Sequence, residues 1–203
     1  MKTVRFLFSD AMARAIVEGR KTATRRPVAG VDGYGVAPCH FSSTGFASVE
    51  RVDGQPAGRC ICSREVKPPC APGDMLIGRE CFQAWTGGEM SGYEEAEGVL
   101  DFDYAAYSFT YRADGDCTPK RWRPSIHMPD WAARIRRRVF SVAVERLQDI
   151  SAEDAAREGF ATRHDFLCAW DDIYMNRNAC AALNPWVWRI EFSRENVVQD
   201  GTP

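Results

Sequence analysis

The chain has 203 residues, of which 45% are hydrophobic and 27% charged, with a formal net charge of -2. That balance fits one soluble globular domain and excludes a surface that traps nucleic acid by overall charge. No run of about 18 apolar residues occurs, and the apolar stretch at the N-terminus is too short for a secretory signal, so no membrane span is expected and the expected location is the cytoplasm.

Taken in chain order, "TVRFLF" alternates Val4, Phe6 and Phe8 on one face and predicts a short strand. Ser9 or Asp10 then caps a helix, "DAMARAIVEG", with Met12, Ala15 and Ile16 on one side and Gly19 as its stop. "RKTATRR" leaves that helix end, and Pro27 limits its run as a paired strand. Residues 28–70 are rich in Gly, Pro, Ser and Cys and read as a loop or irregular insertion. Pro72-Gly73-Asp74 is turn chemistry, and the following residues form a strand ending near Arg79 and Glu80.

A second, acidic insertion is expected near 83–118, with "YSFTYRAD" strand-like inside it. "RVFSVAVERLQ" alternates Phe140, Val142 and Val144 on one face. The run "RIRRR" before it reads either as a basic contact surface or as a solvated strand edge. "SAEDAAREG" is a helix with Ser151 and Asp154 at capping-box spacing and Gly159 as a left-handed stop. A further helix starts at Thr162 and Asp165, with a stripe of Phe166, Leu167, Trp170, Ile173 and Tyr174. "PWVWRIEF" closes the domain as a strand with Trp186, Trp188, Ile190 and Phe192 on one face, and residues 196–203 form a frayed tail.

The plan is α+β: a single domain over 1–195, with about five or six strands, three short helices and two loop insertions. Eight cysteines without an export signal read as free thiols. Cys39, Cys60, Cys62 and Cys70 lack paired C-x-x-C knuckles, so no zinc site, and no cofactor, is expected.

Two spots carry candidate chemistry. Lys21 and Thr24 are three apart, which shares a face in a helical turn and divides them in a straight strand. A lysine beside a hydroxyl activates a weak nucleophile when burial or nearby cations, here Arg20, Arg25 and Arg26, disfavour its charged form. Glu158 lies at a helix C-terminus, where the dipole favours the protonated carboxyl and suits a proton shuttle; position alone favours the plainer reading, that Arg157, Arg163 or solvent offsets that small cost. None of the three is expected to fill the core. His127, among Pro, Trp and Met, reads as a pocket residue or a packed histidine.

"EGRKTATRR", "PGDMLIGRE", "VERLQDISAEDAAREG" and "NPWVWRIEF", in that order, resemble the ASCH domain, a branch of the PUA-like superfamily; "RWRPSIHMPDWAARIRRRV" resembles a subgroup often encoded by bacteriophages, whose members would act in the host cytoplasm. The resemblance implies a small PUA-like β-barrel with flanking helices. It also implies an amidohydrolase, because the smallest bacterial members include one that removes the acetyl group from N(4)-acetylcytidine. It places catalytic roles on Lys21, Thr24 and Glu158 and implies substrate contacts at Thr22, Arg26, Arg79, Glu80 and His127. The partner would be a small-molecule nucleoside. The alternative is a non-catalytic module binding RNA or single-stranded nucleic acid through the basic segments and Trp122 and Trp131. Whether Thr24 forms an acyl-enzyme or positions water stays open at this level.

Overall fold

The elements, in chain order, are β1 (Thr3–Leu7), α1 (Asp10–Val17), β2 (Ala23–Pro27), β3 (Val36–Phe41), β4 (Ala47–Arg51), β5 (Ser63–Val66), β6 (Met75–Arg79), β7 (Phe82–Gly88), β8 (Gly92–Glu95), β9 (Ser108–Tyr111), β10 (Ile135–Arg146), α2 (Ala152–Arg157), α3 (Arg163–Tyr174) and β11 (Trp186–Phe192). They come from a computed structural model that describes residues 1–28, 36–41, 47–51, 63–88, 92–95, 107–115, 118–177 and 179–196, with backbone alone at 36–41, 47–51, 63–66, 87–88 and 92–95.

The fold is α+β. Its spine is a five-stranded sheet in the order β1-β6-β10-β11-β2, beside two three-stranded sheets, β3-β4-β5 and β8-β7-β9. β1 pairs parallel to β6, and the other pairs of the main sheet are antiparallel. Period-two alternation gives that sheet two buried faces. On one, Val4, Leu76, Ile135, Val139, Trp188, Ile190 and Phe192 pack with Ile16 of α1. On the other, Val187 meets Leu147, Phe166 and Trp170 under α3, while Met75 and Ile77 meet Phe82, Met128 and Ala132. Each such side chain removed from water contributes roughly 1.5–3 kcal/mol before entropy is counted. Gly78 is needed for this packing, because a Cβ there would lie 2.7 Å from Ile135 Cγ2.

No closed barrel is present among the described residues: β1 and β2 are the sheet's edges. Arg26 spans the gap between them instead. Its guanidinium donates to Leu7 O at 3.0 Å and lies 5.3 Å from the ring centres of both Phe6 and Phe8.

The helices end where the capping chemistry places them. Ser9, Ser151 and Thr162 each accept a backbone N–H at their helix starts, and Thr162 with Asp165 forms a full capping box. In α3, Phe166, Trp170 and Tyr174 are buried, but Ile173 is 40% exposed and leaves the stripe.

Other expectations need correction. Residues 28–70 are not simply loop, since they contain β3, β4 and β5. These strands are short, and β3 carries an irregularity between Pro38 and His40, so surrounding Gly, Pro and Ser hide their alternation. The acidic insertion contains β7 and β8, paired to each other. β10 starts at Ile135, and the part of "RIRRR" within it is not a free strand edge: residues 135–138 pair with β6 on one side, and on the other Ser193 and Asn196 meet the backbone, with Arg138 O accepting from Ser193 N at 2.9 Å. A bulge between Val139 and Ser141 turns Phe140 outward, to 61% exposure, so Phe140 does not share the buried face.

Candidate functional site

Two helix ends and one bend build the site. α2 stops at Glu158, and Gly159 follows with φ 90°, a left-handed conformation that favours glycine. A Cβ on Gly159 would lie 2.9 Å from Ala15 Cβ of α1 and 3.3 Å from Lys21 Cβ, so only glycine lets α2 seat this closely. The bend before β2 threads between the helices: Lys21 N donates to Ala15 O at 2.9 Å, Thr22 N to Arg157 O at 2.8 Å, and Phe192 N to Thr22 O at 2.9 Å.

This backbone delivers Lys21 to Glu158. Lys21 Nζ donates to Glu158 Oε2 and, at 3.1 Å, to the Glu158 carbonyl. Neither side chain sees solvent beyond 2%. Burial pulls the Lys21 ammonium below its ordinary value; Glu158 opposes that pull, and the Arg26 and Arg25 cations add to it. The other oxygen, Glu158 Oε1, stands 3.2 Å from Arg25 NH1. Arg25 is itself held by Glu145, whose Oε1 accepts from Nε at 2.7 Å, and it lies 3.5 Å from Asp154 Oδ2.

Thr24 takes no part in this contact. In the β2–β11 ladder Thr24 stands opposite Ile190 and Arg25 opposite Arg189. Neighbours in a strand leave by opposite faces, so Thr24 is turned away from the face on which Arg25 holds Glu158. Its hydroxyl is buried and has no hydrogen-bond partner among the described residues. All three predicted catalytic residues are buried, which corrects the expectation that none fills the core.

The expected substrate contacts are spread out. Thr22 is used through its backbone. Arg26 ties the sheet edges as described. Arg79 pairs with Asp130 at 2.8 Å, and Asp130 also takes the Arg5 guanidinium. Glu80, fully buried, is gripped by Arg134 at 2.9 and 3.0 Å; burial nonetheless raises its carboxyl above the usual range. His127 is exposed in a short 3-10 turn, Ser125–His127. Trp131 packs against Phe109 at 5.5 Å rather than standing free for a base.

Sequence reasoning named Arg25 only as a nearby cation and missed Glu145 and Asp154 as its anchors. The available signal was the parity of β10: Glu145 alternates with Val142 and Val144, which turns it toward the helices. Among the described residues no group of three metal-ligating side chains forms. Cys70 is buried, which pushes its thiol up to about 11, while Cys60 and Cys62 lie outside the described residues and Cys39 is described by backbone alone. Comparison of the chain with protein families, with curated proteins and with solved structures finds no match in any of the three.

Proposed function

We propose that the chain is an amidohydrolase that removes an acyl group from the exocyclic amine of a modified nucleoside or base of the N(4)-acylated cytidine type, on an ASCH-like scaffold. One observation carries this reading: a lysine and a carboxylate in direct contact, out of solvent, with the lysine pulled toward its neutral form. A buried ion pair is poor stabilisation, since apolar residues of similar volume commonly do as well or better, so its presence favours a chemical role.

The contact supplies a relay. Neutral Lys21 draws a proton from the nucleophile as it attacks the amide carbonyl. The proton passes across the Lys21–Glu158 hydrogen bond and reaches the amine nitrogen as the C–N bond breaks, so amide plus water gives acid plus amine. Water is the nucleophile in this scheme, because the Thr24 hydroxyl has no base within hydrogen-bond reach among the described residues. Thr24 instead contributes a buried hydroxyl whose bond is unmade in the resting protein. The resting site is closed, so the substrate must displace what covers Lys21 and Glu158.

The nucleic-acid alternative draws less support from "RIRRR" than its charge suggests. Arg136 donates to Asp130 O at 2.6 Å, and Arg137 is buried, donating to Ile16 O at 3.1 Å and to Asn196. Of that run only Arg138 is exposed. Incubating the protein with a panel of N-acylated cytosine nucleosides, read by chromatography, tests the proposal. Appearance of the deacylated nucleoside and the free acid supports it, and an unchanged panel rejects it.

A further inference from the structure

Glu158 has two cations and needs only one. Lys21 holds Oε2, and Arg25 NH1 holds Oε1 at 3.2 Å. A lysine that is the sole partner of a buried carboxylate cannot lose its proton without leaving a bare charge in a dry site, a strongly unfavourable change. With a second cation in place, that obstacle is gone. Resting on the hydrolytic reading above, we propose that Arg25 is a positioning residue of this site: pinned by Glu145 and Asp154, it carries the counter-charge of Glu158 so that Lys21 is free to act as a neutral base.

The surroundings fit that role. Arg25 is 1% exposed, so its charge must be met by protein groups. From α2 come Asp154 at 3.5 Å and Glu158; from β10 comes Glu145, 2.6 Å from NH2. From β11, Arg189 approaches the far oxygen of Glu145 at 3.5 Å and Glu191 at 3.7 Å, and Glu191 meets Arg157 of α2 at 3.5 Å. α3 contributes the Phe166 ring, 5.9 Å from the guanidinium carbon. α1 offers a backbone carbonyl to Lys21 N, and Arg26 is the remaining cation that acts on Lys21. Among the described residues Arg25 thus has anions on two sides, while Lys21 has Glu158 alone.

A planar guanidinium can bridge two carboxylates, and a lysine ammonium does so less well. The decisive comparison is wild type, Arg25→Lys, and the double variant Arg25→Met/Glu145→Gln, which removes a carboxylate together with its cation and so protects folding. Two readouts are taken on the full chain: NMR titration of isotope-labelled Lys21, and the pH dependence of kcat/KM on an N-acylated cytidine. In the double variant Lys21 should lose its proton at a pH higher by one unit or more, and the rate should fall about tenfold at neutral pH and recover in more alkaline solution. Arg25→Lys should show less than half of that shift. A Lys21 titration that matches wild type in the folded double variant, or a rate lowered equally at every pH, overturns the proposal. The titration needs no substrate, so a protein that cleaves no amide refutes the hydrolytic reading alone and leaves the charge role of Arg25 decided by NMR.

Discussion

At the scale of single residues, the site rests on side chains that serve stability badly. Lys21→Met and Glu158→Gln would each interrupt the proposed relay and should lower kcat/KM by roughly two orders of magnitude or more, with the double variant losing little beyond either single one. Additive losses would show that the two do not act as a unit. Thr24 gives a sharper contrast, because its buried hydroxyl has no partner among the described residues. Thr24→Val keeps the shape, removes the unpaired group and should raise stability by about 1 kcal/mol in denaturant unfolding. A destabilised Thr24→Val would mean that the hydroxyl is bonded in solution. Trapping an acylated protein by rapid quench and mass spectrometry would replace water with Thr24 as nucleophile. Gly159→Ala places a methyl group against Ala15 and Lys21 at a positive φ, so it should cost about 2 kcal/mol and reduce activity by displacing Lys21. A neutral outcome there would show that α2 shifts freely.

At the scale of elements, charged side chains fasten parts that apolar packing leaves loose. Asp130 joins Arg5 of β1 and Arg79 of β6 to the segment ahead of β10. The Arg5 hydrogen bonds, helped by Arg79, hold its carboxyl below the usual range of about 3.9. A depressed carboxyl stabilises the fold above its unfolded value and loses that contribution as the pH falls through the folded one. Asp130→Asn should therefore lower Tm at neutral pH, with the deficit closing as the solution is acidified below about pH 4. A deficit that persists unchanged in acid would point to packing instead. Arg137 is similar in kind: it satisfies the Ile16 carbonyl near the end of α1 from inside the sheet. Arg137→Ala should cost about 2 kcal/mol, whereas Arg138→Ala, at an exposed position, should stay within about 0.5 kcal/mol. The sequence showed "RIRRR" as a block of charge, but alternation sends Arg137 inward and Arg138 out, and charge counting along a chain does not see that division. The same holds for Phe140, which a single bulge moved off the core face. Helix limits, by contrast, were readable because each cap is a local interaction between residues three apart, as at Ser151 and Asp154.

At the scale of the whole molecule, what was legible follows the range of the interactions. Of the main sheet, β1 and β11 were visible because Val4 in one, and Ile190 and Phe192 in the other, belong to runs of period two, while β2 has no such apolar run. The small strands β3, β4 and β5 run only four to six residues among turn-forming neighbours and were read as loop. Lys21 and Glu158 are 137 positions apart, and their meeting depends on how α1 and α2 end against one bend. Residue type and placement at a helix end marked each one separately. The anchoring of Arg25 by Glu145, across 120 positions, had no local signal beyond strand parity. Thr24 was grouped with Lys21 by spacing, and the start of β2 at Ala23 separated them. The central claim is that the Lys21–Glu158 pair cleaves an amide. Its most direct test is the initial rate of deacylation of N(4)-acetylcytidine by wild type and by folded Lys21→Met, measured side by side. Turnover by wild type that falls at least a hundredfold in Lys21→Met is the expected result; turnover that survives the loss of Lys21, or none by wild type across the acyl panel, contradicts it.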